Sequence, residues 1–451
     1  MNINSDLISE INKLKIKIDK NRSDKDSLHN LKEKSIEIID YIINNIKISN
    51  IKTIEIPEFK IDNVTINLLK ESRDIVLNDI EIENFIINLK QDNLPQREIE
   101  EYIEFNNNEI DKLLYQLLLK NNNIDINNII KYYYKDIISK FVPLNIQREI
   151  IKKLKFNLKF DVYLDNKKLE FNFFMEDKNY NGIDITIIIV KAFYLVVLYN
   201  KKNINIKLNY YLTLLKKEIP LNKNYLGVNE INSGLTTIYQ NKSEINIYRK
   251  EEYEKLTIHE MVHALKIDHN LFRSDNIIGE RLKCNFNISK LNKINFFECF
   301  TESIAIILNS IINSILVGTN LNDIISSEIK FSILQCSKII KFYKADSKKF
   351  LCNNCCFKSN DIWIEKTSIT AYFFCKLGLI LNINNFIEEY MFNKNIIIKN
   401  LYDEILKNLL TIEFLDKYKI TNKLYKTLRM SINEFNWNKI LNSSLNINTV
   451  Q

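Results

Sequence analysis

The sequence predicts an α+β fold: a small sheet with a backing helix in the middle of the chain, and helices on either side. Three observations carry this. Residues 158–164 (LKFDVYL) and 169–175 (LEFNFFM) alternate apolar with polar side chains around Asp165-Asn166-Lys167-Lys168, which is a hairpin pattern. A near-continuous apolar run follows Gly182, from 183 to 199, and its length reads as a buried helix. From about residue 296 onward the pattern is mostly helical.

The N-terminal part, to about residue 140, reads as largely helical. Leu28, Leu31, Ile38, Ile39, Ile42 and Ile43 form one apolar face, and Pro95 is placed to open a further helix through Glu98, Ile99, Glu101 and Tyr102. Beyond the hairpin and the apolar helix, residues 204–213 (INIKLNYYLT) and 245–249 (INIYR) read as strands, and residues 232–237 (NSGLTT) as strand or loop. A helix runs from Glu251 to about Ile267. The expected division is a helical accessory domain over 1–142, an α/β lobe over 143–270 and a helical lobe over 271–451.

Composition narrows the function classes. Gly (6) and Pro (4) are scarce while Asn, Ile and Lys crowd in, the bias of an AT-rich genome. With so few glycines there is no phosphate-binding loop, dinucleotide fingerprint or nucleophile elbow. The net charge of +7 is spread along the chain in interleaved Lys and Glu, so neither nucleic acid nor membrane is an expected partner. The apolar stretches 183–199 and 303–317 are short for a spanning helix, and Lys191 interrupts the first. Seven cysteines, an odd number, fit a reduced intracellular protein, in a host cytoplasm or a virion. Cys352, Cys355 and Cys356 resemble half of a structural zinc site, but no second Cys/His pair follows and the cluster reads as incidental.

The chemistry concentrates around three of the four histidines, in His259-Glu260-Met261-Val262-His263 and at His269. Side chains four apart on a helix share a face, so His259 and His263 can reach one ion at about 2.0–2.1 Å. Glu260, turned about 100° from His259, is placed to act as general base. A catalytic zinc takes a third protein ligand, and two candidates stand. His269 lies six residues after His263, the metzincin spacing. That pattern has Gly where this chain has Lys266, and a non-Gly residue in a left-handed turn costs about 1–2 kcal/mol. Its methionine turn would fall to Met391, far downstream. The other candidate is Glu298, which shares a face with Glu302, Ala305 and Asn309 on an apolar helix. Two carboxylates there are costly unless a cation meets them.

At these residues the chain resembles the gluzincin clan, to which anthrax lethal factor and the clostridial neurotoxin light chains belong. The string from Glu298 through Phe300 to Glu302 is similar to the lethal-factor pattern. The resemblance implies a zincin-like catalytic domain whose sheet has a substrate-pairing edge strand, at segment 234–239 or 245–249, with Glu298 as third zinc ligand and Glu302 orienting a zinc-bound histidine. The segment 232–305 also resembles uncharacterised metalloproteases of large DNA viruses, insect poxviruses among them. The expectation is a zinc-dependent metallopeptidase acting on protein or peptide substrates, with Glu260 as base and Tyr372 as oxyanion donor. The alternative is a zinc-bound structural or interaction protein on the same scaffold.

Overall fold

The computed structural model describes residues 26–56, 153–176, 182–202, 204–220, 224–239, 242–274, 295–345, 367–415 and 426–432, with isolated positions between them. Residues 26–54 and the described residues from 142 onward belong to one compact unit, and residues 55–138 to a second. The expected helix after Pro95 and the cluster at Cys352, Cys355 and Cys356 lie outside the described residues.

The first unit is mixed α and β, as the sequence predicts. Its N-terminal helix α1 (Ser27–Asn45) is capped by Asp26, whose carboxylate accepts from His29 N–H at 3.2 Å. Leu28, Leu31, Ile38, Ile39 and Ile42 are buried, but Ile43 is turned outward, 43% exposed. Strand β1 (Lys47–Glu55) follows, where the sequence reading expected more helix. Its side chains are mostly exposed, so the apolar alternation that marks a strand is weak. Residues 27–54 thus pack with the chain assigned to the two later lobes.

β1 lies at one end of a six-stranded sheet. β2 (Phe156–Leu164) and β3 (Lys167–Met175) form the expected hairpin. The turn is tighter than the four residues expected, just Asp165-Asn166, with Asp165 at φ +52°. The apolar helix α2 (Gly182–Leu198) crosses to β4 (Asn205–Thr213), parallel to β3, and β6 (Ser243–Arg249) lies parallel beyond it. β5 (Gly234–Ile238) pairs antiparallel with β6 and ends the sheet. The edge is therefore 234–238, and 245–249 is interior.

Against the sheet lies α3 (Tyr253–Ala264), every residue of which is buried. Tyr210 on β4 holds it through a hydrogen bond to Thr257, 2.9 Å. Behind come α4 (Phe297–Val317), α5 (Leu321–Phe342), a π-type turn (Thr370–Cys375) leading into α6 (Lys376–Ile380), and α7 (Ile398–Leu409). By length and composition α4 would cross a membrane, but 83% of its apolar window is buried in protein. Lys191, which interrupts the apolar α2, is wholly buried and binds Glu254 of α3 and Asn309 of α4. It ties three helices together.

The N-terminus of α3 is anchored from the far end of the chain. Glu252, at φ +61°, pairs with Lys217 at 2.7 Å and accepts from the backbone N–H groups of Met430 (2.8 Å) and Ser431 (2.6 Å). Burial would raise the Glu252 carboxyl, but Lys217, Lys255 and Arg429 hold it at about 2, against an ordinary 4.5. A carboxyl depressed by folding contributes stability that is present above pH 4.5 and lost as pH falls toward 2. Urea unfolding measured from pH 7 to pH 2 should therefore show a flatter acid limb for Glu252→Gln than for wild type. The variant should also be less stable at neutral pH by on the order of 3 kcal/mol, because Lys217 is left buried without its partner. An acid limb as steep as wild type would assign the acid sensitivity to other carboxylates.

Candidate metal centre

The helical spacing of His259 and His263 brings their Nε2 atoms to 3.2 Å of each other. Glu298, in the first turn of α4, sets its Oε2 3.3 Å from Nε2 of His259 and 3.4 Å from Nε2 of His263. Three ligands at 2.0–2.1 Å from a tetrahedral ion stand about 3.3–3.4 Å apart. The three atoms thus describe one face of a tetrahedron of the size a zinc ion requires, and among the described residues they form a buried group able to hold a metal ion.

The hydrogen bonds around the histidines agree with this. Nδ1 of His259 faces Glu302 Oε2 at 2.8 Å, and Nδ1 of His263 faces Asp268 Oδ2 at 2.6 Å. Each carboxylate calls for a proton on Nδ1, which leaves both Nε2 lone pairs turned inward. Glu298 Oε2 is fully buried and has no hydrogen-bond partner. Two imidazole nitrogens and a carboxylate oxygen thus converge as acceptors, so the donor set fits a cation.

Further groups hold the carboxylates. Lys255, one turn before His259 on α3, donates to Glu302 Oε1 at 2.5 Å, and Thr301 donates to Asp268 at 3.0 Å. Burial alone would raise Glu298 and Glu302. Instead His263 and His259 hold Glu298 at about 2, and Lys255 and His259 hold Glu302 lower still. Burial would lower both imidazoles, but the carboxylates around them raise His259 and push His263 well above its ordinary value.

Glu260 is buried beside this group, and β5 surrounds its carboxylate. Thr236 Oγ1 lies 2.7 Å from Glu260 Oε2 and 3.1 Å from its backbone oxygen. Gly234 packs so close that a Cβ there would stand 2.4 Å from Glu260 Oε1. Tyr372, on the π-type turn, comes to the same place. Its ring centroid is 6.2 Å from that of His259. Burial, then the carboxylates of Glu298, Glu260 and Glu302, push its pKa far up and keep the hydroxyl a donor. Phe297 stands edge-on to His263, with ring centroids 5.8 Å apart.

The structure separates the two candidates for third ligand. Lys266 does take the left-handed conformation that the sequence reading counted against it, at φ +54°. Ile267 N–H reaches Val262 O (3.0 Å) and Lys266 N–H reaches His263 O (2.9 Å), the paired bonds of a Schellman closure. This turn places Asp268 under His263 and leaves His269 exposed at the start of a 3₁₀ turn, outside the metal group. Glu298 is the residue that groups with His259 and His263. Sequence reasoning missed Asp268, Thr236 and Lys255. Lys255 alone left a local trace, as a basic residue one turn from His259.

No family model matches the chain, and no solved structure matches it. It is 28% identical over 227 residues, 46% of its length, to an uncharacterized protein, R210, of Acanthamoeba polyphaga mimivirus. The match covers 55% of that viral protein. The chain thus has a viral relative, in keeping with the viral resemblance read from its sequence.

Metal content of purified variants tests the centre directly. After reconstitution with zinc, a bound metal ion should be retained by His269→Ala and lost from His263→Ala and Glu298→Ala, measured by mass spectrometry. Asp268→Ala should keep the ligands and weaken metal affinity by roughly 10–100-fold, because His263 loses the group that orients its ring. Full zinc retention in Glu298→Ala would remove α4 from the site.

Proposed function

We propose that this protein is a zinc-dependent metallopeptidase of the gluzincin type, holding the metal with His259, His263 and Glu298. One observation carries the reading: a tetrahedral face of two imidazole nitrogens and an unpartnered buried carboxylate oxygen, with a further carboxylate, Glu260, beside it. A mixed nitrogen and oxygen set of this size suits zinc, with a fourth position left for chemistry. Zinc, when bound, polarises a carbonyl oxygen and acidifies a coordinated water near neutral pH.

The chain's own residues supply the rest. Glu260 takes the proton from the attacking water and delivers it to the leaving amine. Tyr372, held protonated, donates to the oxygen on which negative charge develops. Glu302 and Asp268 fix the two imidazole rings by their Nδ1 protons. Peptide is the favoured substrate class because β5 ends the sheet, with no strand on its outer side among the described residues. A strand edge offers backbone donors and acceptors that an extended chain can pair with.

Glu260→Gln keeps the ligands and removes the base. It should bind zinc as wild type does and lower kcat on a cleaved peptide by roughly a thousandfold or more. Hydrolysis that survived this change would reject the assignment of Glu260. Stoichiometric zinc with no cleavage of any member of a broad peptide library would instead favour an inactive zincin scaffold.

A further inference from the structure

Register sets Gly234 and Thr236 on the sheet face that carries the core. The row Leu158, Phe173, Tyr210, Ile247 runs out to Gly234, and the row Phe160, Phe171, Leu208, Ile245 runs out to Thr236. Every other member of these rows is apolar or aromatic, and packing alone would favour such residues at the ends as well. Gly234 is not there for backbone freedom, since its φ lies outside the left-handed region. It is there for room. A Cβ at 234 would meet Glu260 Oε1 at 2.4 Å and Cδ at 3.0 Å. Two residues on, Thr236 offers Glu260 a hydroxyl at 2.7 Å from Oε2.

From this we infer that Thr236 is a positioning residue for Glu260: its hydroxyl, with the space that Gly234 leaves, holds the carboxylate in one rotamer. The strand at the proposed substrate edge is then also the strand that aligns the base. A glutamate has three side-chain torsions. Fixing them before reaction removes an orientational cost that would otherwise fall on the rate and not on binding. The kinetic part of this inference rests on the peptidase reading, while the structural part stands without it. The one competing arrangement is that the Thr236 proton goes to the backbone oxygen of Glu260, 3.1 Å away, and merely joins strand to helix.

Crystal structures of the metal-free wild type, Thr236→Val, Thr236→Ser and the neighbouring Thr237→Val decide between them, with thermal midpoints beside them. Positioning predicts several Glu260 conformers in Thr236→Val at a nearly unchanged midpoint, and one conformer in the other three. Gly234→Ala, as a second variant, should displace the carboxylate by sterics alone. With zinc bound and a peptide that wild type cleaves, Thr236→Val should lower kcat roughly 10–100-fold with KM within about twofold, and Thr236→Ser should restore it. A single unchanged Glu260 conformer in Thr236→Val, with a lowered midpoint, would overturn the inference in favour of the strand-to-helix joint. Should wild type cleave no peptide, the peptidase reading fails, and the conformers of Glu260 still decide the role of Thr236.

Discussion

The site depends on the burial of α3 against α4, where carboxylates on one helix meet cationic and imidazole groups on the other. Glu298 and Glu302 face His259, His263 and Lys255 with almost no exposure to solvent. Taking an ion out of water costs several kcal/mol, and attraction offsets this only if every remaining hydrogen-bonding position is filled. Glu302 meets that condition with one oxygen on Lys255 and the other on His259. Lys191 meets it with Glu254 and Asn309. A buried set of this kind adds little net stability over apolar packing. It fixes geometry instead, because each charge has a partner in one arrangement and is stranded in any other.

Scarcity of glycine shapes how the helices end, and through that the site. α2 closes with Asn200 at φ +46°, α3 with Lys266 at +54° and α5 with Lys344 at +52°, and among the described helices only α4 closes with a glycine, Gly318. A left-handed lysine costs about 1–2 kcal/mol, offset here by the two Schellman bonds that satisfy otherwise unpaired carbonyls. The consequence for function is local. The turn at Lys266 reverses the chain within two residues, so Asp268 and not His269 lies under the imidazole of His263.

What the sequence showed and what it hid follow the range of the interactions. The β2–β3 hairpin, α2, β4, β6, α3 and α4 were legible because each carries its apolar period within itself. The two histidines were legible for the same reason, since a spacing of four is local. Glu298 and Glu302 stood out as charges that an apolar helix could not bury unaided. β1 was hidden because its mostly exposed side chains leave no alternation. Asp268 and Thr236 were hidden because their roles come from a helix ending and from strand register, which bring together residues that no local pattern links. Lys191 was read as a defect in an apolar run, and only tertiary packing reveals it as a tie.

The remaining question is what the three inward-facing acceptors are built to receive. Protons are one answer: the raised His259 and His263 are drawn toward their charged forms by the carboxylates around them. Yet protons fill the site poorly. With both Nδ1 positions committed to Glu302 and Asp268, two added protons would stand on Nε2 atoms 3.2 Å apart and repel. A divalent ion held by His259, His263 and Glu298 would carry the same two charges at a single point, and the repulsion would disappear. The carboxylates that raise the imidazole pKa values are then the groups that strengthen imidazole as a ligand, so one arrangement accounts for both the electrostatics and the distances.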